Sequence, residues 1–212
     1  MLKVNEIYCS IQGESSFAGL PCVFIRLTYC NLRCNYCDTE YAFHEGSEMS
    51  IEGIVDKVLA YKTDLVELTG GEPLFQEESS KLIEVLCDKR LNVLIETSGS
   101  ISIENIDKRA TVIMDLKCPS SLMMKKNLYS NLEFIKSTDE IKFVLADRGD
   151  YDWMKQIISE YALDLKTNIL VSCVFNKVEP KQVVEWILED KLQVRFQLQL
   201  HKYIWNPELK GV

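Results

Sequence analysis

Leu65-Val66-Glu67-Leu68-Thr69-Gly70-Gly71-Glu72-Pro73 reads as a short apolar strand over 65–69 that stops at two glycines and a proline. Aliphatic residues favour a strand, and Gly-Gly before Pro ends one. Apolar residues at helical spacing then predict a helix over 77–90, and Asn92-Val93-Leu94-Ile95-Glu96-Thr97 predicts the next strand. A strand–helix–strand unit of this length gives a parallel pair joined by a right-handed crossover.

The alternation continues on both sides. Upstream, 22–28 is a strand and 51–62 an amphipathic helix, with Ile51, Ile54, Val55, Val58 and Leu59 on one face. Downstream come a short helical crossover at 103–107 and strands at 111–117, 140–146 and 167–175. Helices at 150–161 and 180–189 separate the later strands, with Pro180 suited to a first turn, and a strand over 192–200 closes the series. The pattern predicts an α/β fold with a mainly parallel sheet covered by helices.

Several of these strands keep a polar face. Arg26 and Thr28 share a side, as do Glu96 and Ser98, and Asp115 and Lys117. Lys142 stands among apolar neighbours, and Arg195, Gln197, Gln199 and His201 alternate with Phe196, Leu198 and Leu200. A strand buried on both faces would be almost wholly apolar. Polar residues near strand C-terminal ends instead imply a polar lumen with a site at that end. The units are too few for eight β/α repeats. The expectation is an incomplete, partial β/α barrel, with 1–212 forming a single domain.

The net charge of −8 is spread along the chain and argues against a general nucleic-acid binder. No stretch approaches the roughly 20 apolar residues of a membrane span. The chain opens Met1-Leu2-Lys3-Val4 without an apolar leader, and its eight cysteines are scattered. A cytoplasmic location with reduced thiols is expected, with neither nucleic acid nor membrane as a partner.

Three cysteines are not scattered. Cys30-Asn31-Leu32-Arg33-Cys34-Asn35-Tyr36-Cys37 places three thiols in one loop. Short cysteine spacings serve both zinc and iron–sulfur clusters. A zinc knuckle completed by His44 or His201 and plain loop cysteines stay open on spacing alone. A cluster held by only three cysteines would leave one iron free for an external ligand.

The CxxxCxxC spacing with Tyr36 before its last cysteine resembles the radical S-adenosylmethionine (SAM) superfamily, as does Thr69-Gly70-Gly71-Glu72-Pro73. Within it, Ile11-Gln12-Gly13-Glu14-Ser15, Phe24-Ile25-Arg26-Leu27, Tyr36-Cys37-Asp38-Thr39, Glu96-Thr97-Ser98-Gly99, Asp115-Leu116-Lys117-Cys118-Pro119 and Gln199-Leu200-His201-Lys202-Tyr203 resemble the 7-carboxy-7-deazaguanine synthase family nearly end to end. The resemblance implies a carbon–nitrogen lyase of a radical SAM type of partial barrel. It would convert 6-carboxy-5,6,7,8-tetrahydropterin to 7-carboxy-7-deazaguanine with release of ammonia, on the way to queuosine and other 7-deazapurines. The implied cofactors are a [4Fe–4S] cluster, SAM and Mg²⁺. The implied partners are the pterin, an electron donor such as flavodoxin or ferredoxin, and a second copy in a homodimer.

The resemblance also implies residue roles. Cys30, Cys34 and Cys37 in a loop over 29–40 would hold the cluster. Tyr36, Asp38, Gly71, Glu72, Ser98, Asp115, Leu116 and Lys117 would meet SAM. Ile11, Gln12, Gly13 and Glu14, at the end of a short N-terminal extension over 1–20, would meet the pterin with Arg26, Thr69 and His201. Thr39 would give a hydroxyl to Mg²⁺. A guanidinium forks onto a carboxylate, which suits Arg26 to the substrate's acid group. No side chain is assigned a catalytic step, because the cofactor carries the radical chemistry. Cys9, Cys22, Cys87, Cys118 and Cys173 are expected to be packing residues. Family members often carry glycine where this chain has Ser15.

Two other functions compete. A small radical SAM activase that makes a glycyl radical on a partner protein would share the cluster and glycine motifs, but not Gln12, Glu14, Arg26 and Thr39. A zinc-binding interaction module would share only the cysteines. Metal analysis and pterin turnover separate the three.

Overall fold

The structure, a computed structural model, describes residues 1–207 and 209–212. Strand β1 (Leu2–Ile11) leads to β2 (Pro21–Leu27), a short β3 (Ser47–Met49) and helix α1 (Ile51–Ala60). Then come β4 (Leu65–Gly70), α2 (Ser79–Asp88), β5 (Asn92–Thr97), β6 (Thr111–Asp115), β7 (Glu140–Leu145) and α3 (Arg148–Tyr161). The chain ends with β8 (Asn168–Cys173), α4 (Pro180–Asp190), a two-residue β9 (Arg195–Phe196) and α5 (His201–Ile204).

The strands form one nine-stranded sheet in the order β3-β1-β2-β4-β5-β6-β7-β8-β9. Every pair from β2 to β9 is parallel, and β1 runs antiparallel to β2 and β3. The mainly parallel sheet curls, because side chains from β1, β2, β4, β5, β6 and β7 face one cavity. This is the partial barrel read from the alternation. Among the described residues no helix is long and apolar enough to cross a membrane.

Local chemistry sets the helix ends. The Ser50 hydroxyl caps α1 by accepting from the Gly53 N–H at 3.1 Å. The Asp147 carboxylate does the same for α3 at the Asp150 N–H, 2.9 Å away. Ile54, Val55 and Val58 of α1 and Leu82, Ile83 and Leu86 of α2 turn onto the sheet and join its main apolar core.

Four expectations fail. Residues 1–20 are no mere extension, since Leu2–Ile11 is a full strand of the sheet. Its register shifts between Val4 and Glu6, and that bulge breaks the period-two signal. The segment 103–107 is turns, not helix. There the Ile103 N–H donates to Asn131 Oδ1 at 3.1 Å. Only Arg195–Phe196 of the predicted last strand pairs with β8, and His201 begins a helix. Lys117 lies two residues past the end of β6.

Candidate functional site

A cavity of about 740 Å³ opens at the C-terminal ends of the parallel strands. Below it, Cys22, Phe24, Leu65, Leu94, Ile113 and Leu170 pack into a small apolar plug, separate from the main core. The lumen is thus dry at the bottom and polar above, which explains the mixed faces of its strands.

The cysteine loop forms one wall. Tyr29 turns the chain out of β2 with a φ of 76°, and its N–H donates to the Ala42 carbonyl at 2.9 Å. Cys30, Cys34 and Cys37 all face the cavity. A β-carbon on Gly70 would strike the Leu27 backbone, and one on Gly71 the Tyr29 carbonyl. The two glycines therefore let the turn lie flush on the chain that carries Cys30. Burial raises all three thiols, Cys34 to about 11, and the Lys117 cation pulls each back. Lys117 in turn is 2.7 Å from Asp115. Burial would lower its pKa, but Asp115 and Cys34 together outweigh burial and raise it.

The donor set suits a cluster. Among the described residues, no three His, Cys, Asp or Glu side chains converge as one metal ion would need. A [4Fe–4S] cube spreads its cysteines over separate irons. His44 does not face the cavity, and His201 packs its ring on Gly13, so neither completes a zinc knuckle.

The opposite wall is built from 12–16. The Gln12 amide donates to Glu67 and accepts from the Glu14 N–H at 3.1 Å, so both its ends are engaged. One Glu14 oxygen lies 2.9 Å from Lys142 Nζ, and the other accepts from Gln199 at 2.8 Å. Lys142 also pairs with Glu96. Burial would raise Glu14, but Lys142, the Gln199 hydrogen bond and His201 together outweigh it and lower the carboxyl below its ordinary value. Glu67 goes the other way: burial, then the Glu96 charge, push it well above the carboxylate range. Arg26 donates to Glu6 at 2.8 Å and to the Tyr8 hydroxyl at 2.9 Å. Ser15 takes a left-handed φ of 65°, and its N–H donates to Gln197 Oε1 at 2.8 Å. A glycine here would meet no steric penalty, whereas serine carries one.

Asp38 and Thr39 sit between the walls. The Thr39 hydroxyl donates to Asp38 Oδ1 at 2.9 Å, and Lys202 Nζ lies 2.8 Å from Asp38 Oδ2. Desolvation on the cavity side would raise Asp38, but Lys202, the Thr39 hydroxyl and Lys142 together outweigh it and bring the carboxyl down to about 2.

Most of the residues singled out in the sequence face this cavity, including Ile11, Thr69 and Ser98. Two do not. Glu72 is fully buried outside it, accepting from the Leu74 and Ser98 N–H groups and from the Thr97 and Ser98 hydroxyls. It staples the glycine turn to the end of β5. The Leu116 side chain belongs to the main core. Cys9 is exposed rather than packed. Wall residues that the sequence did not assign to the site include Glu67, Glu96, Lys142, Tyr8, Tyr41, Lys202, Pro207 and 209–212. Glu67 had a signal: it is the lone charge in the apolar strand Leu65-Val66-Glu67-Leu68.

Residues 24–119 match the model of the radical SAM superfamily. A 7-carboxy-7-deazaguanine synthase from Chlorobaculum tepidum is 45% identical over 214 residues, covering 100% of this chain and 97% of that protein. Another from Koribacter versatilis is 42% identical, with 100% of both chains covered. The crystal structure of QueE from Escherichia coli superposes with a TM-score of 0.75 at 21% identity, over 92% of each chain. The superposition supports the fold, and full-length identity above 40% supports the family. Together with a cysteine loop and glycine turn on one cavity, they show that this chain belongs to the 7-carboxy-7-deazaguanine synthase family of radical SAM enzymes.

Proposed function

We propose that the chain contracts 6-carboxy-5,6,7,8-tetrahydropterin to 7-carboxy-7-deazaguanine and releases ammonia. The observation that carries this is the sharing of one cavity by the cysteine loop and by the charged wall of Gln12, Glu14 and Arg26. A glycyl-radical activase would have no use for the wall of Gln12, Glu14 and Arg26.

Cys30, Cys34 and Cys37 would hold the [4Fe–4S] cluster, and Gly71, Tyr36, Asp38, Ser98, Asp115 and Lys117 would border SAM. When bound, the pair supplies a one-electron cleavage of SAM that starts hydrogen abstraction from the substrate. The chain's own work is binding and orientation. Arg26 sits on the cavity wall as a fixed cation for the substrate carboxylate, braced by Glu6 and Tyr8. Glu14 stays ionised and accepts from the ring's N–H groups, while Gln12 sets the Glu14 backbone. Thr69 and His201 border the same space.

Mg²⁺ is part of the proposal. Thr39 spends its proton on Asp38, which leaves its oxygen lone pairs free for a hard cation. The same reading includes an electron donor such as flavodoxin or ferredoxin, assembly as a homodimer and a cytoplasmic site of action. The test is anaerobic incubation of reconstituted protein with the pterin, SAM, Mg²⁺ and a reductant. Equal amounts of 7-carboxy-7-deazaguanine and ammonia are expected, and SAM cleavage without pterin loss would overturn the assignment.

A further inference from the structure

Glu67 is 3% exposed and stands at the cavity floor, directly above the apolar plug. Its strand places it one step below Thr69 on the same side, and the Gln12 amide donates to one of its oxygens. A ligand held by Gln12, Glu14, Arg26 and Thr69 therefore rests on Glu67. Around it stand Glu96 from β5, Glu14 from the turn after β1, Lys142 from β7, Cys22 from β2 and Tyr8 from β1. Lys142 is paired with Glu14 and Glu96, and among the described residues no cation forms an ion pair with Glu67. A third anion beside those two, over an apolar plug, is unfavourable.

We propose that Glu67 is a catalytic acid, giving its proton to the nitrogen that leaves as ammonia. This rests on the function proposed above. In the step, the carboxyl O–H bond breaks and an N–H bond forms. By then the contraction has left this nitrogen as an amino group on the smaller ring, and its one remaining C–N bond breaks with the electron pair going to nitrogen. The neighbouring ring carbon gives up a proton as the new double bond forms, and the Glu67 carboxylate takes that proton back. Atoms and charge balance, and no oxidant or reductant enters. An amine leaves poorly as an anion, so a proton delivered during C–N cleavage lowers the barrier. Burial among the Glu96 and Glu14 carboxylates favours the protonated form of Glu67, in agreement with the upward direction of its pKa.

The experiment compares reconstituted wild type, Glu67→Gln and Glu67→Asp with saturating pterin, measuring product and ammonia from about pH 6 to 9. Glu67→Gln is expected to lose about 100-fold in kcat, with KM changed less than about threefold. The wild type is expected to lose rate on its alkaline side as Glu67 ionises, and Glu67→Asp to keep that limb. Infrared difference spectra of wild type against Glu67→Gln, without cluster or substrate, are expected to show a protonated carboxyl at neutral pH. An unchanged kcat in Glu67→Gln, or a raised KM alone, would reduce Glu67 to a prop for Gln12 and overturn the proposal. Should Glu67→Gln fail to fold, the wild-type limb and Glu67→Asp decide, and a flat limb overturns it. A wild type that never consumes the pterin defeats the proposed function instead, and shows this without any variant.

Discussion

Lys202 Nζ lies 2.8 Å from Asp38 Oδ2, which ties the last helix to the loop that carries the three cysteines. The Lys202 side chain is 9% exposed and that of Asp38 is 56% exposed, so water weakens the pair from one side. Lys202→Met is expected to cost about 1 kcal/mol of stability, as for a half-exposed pair. Its cluster content should stay at wild-type level while KM for the pterin rises. Chemical denaturation and iron analysis check both, and a lost cluster would mean that α5 does more than close the wall.

Cys30→Ala, Cys34→Ala and Cys37→Ala are each expected to lose the brown colour and most of the iron. Cys9→Ser is expected to keep both, since Cys9 is exposed and outside the cavity wall. Iron and sulfide analysis of anaerobically purified protein is the measurement. Full iron in the Cys34 variant would remove the cluster from this loop.

Arg26→Lys keeps a cation on the wall but loses the planar fork braced by Glu6 and Tyr8. KM for the pterin is expected to rise on the order of tenfold, the equivalent of one lost charged hydrogen bond. SAM cleavage without substrate should be unchanged. An unaltered KM would make Arg26 a structural partner of Glu6.

Ser15 carries its left-handed φ of 65° with a β-carbon in place. Its hydroxyl accepts from the Phe17 N–H at 3.1 Å, which offsets part of the strain. Ser15→Gly is expected to change stability by less than about 1 kcal/mol, whereas Ser15→Val should lose about 1–2 kcal/mol. Thermal unfolding of both proteins distinguishes these outcomes, and an equal loss in the two would refute the strain argument.

Burial lowers the His201 pKa below its ordinary value of 6.5, although the Glu14 charge opposes the shift. The unfolded chain therefore takes up the proton first as pH falls. The His201 contribution to stability is complete above 6.5 and declines as pH drops through that value toward the folded pKa. His201→Gln should show a shallower loss of denaturant midpoint over this window than wild type. Parallel slopes would place the acid sensitivity elsewhere.

The strand–helix alternation was legible because β4, α2 and β5 carry clean local periods. β1 was not, because its bulge between Val4 and Glu6 scrambles the alternation. The cysteine loop and Arg26 could be read from spacing and residue type. The hydrogen bonding of Glu72 was not legible, because a buried acid in a glycine turn looks the same whether it serves a ligand or four groups of its own chain. Glu67, Glu96 and Lys142 come from three strands, and only the curl of the sheet brings them together. No one-dimensional pattern reports that meeting.

The wall at 12–16 has a further consequence for how the molecule comes into being. Its partners lie far along the chain: Glu14 reaches Lys142 across 128 residues and Gln199 across 185, and Ser15 reaches Gln197 across 182. Contacts between distant segments form late, since the loops between them must first be closed. On the ribosome the cysteine loop and the glycine turn emerge early and can dock through contacts such as Glu72 N–H to the Tyr29 carbonyl, which span far less chain. The opposite wall must wait for nearly the whole polypeptide. A chain stalled or clipped before residue 197 would thus present a docked cysteine loop to solvent with no finished chamber around it.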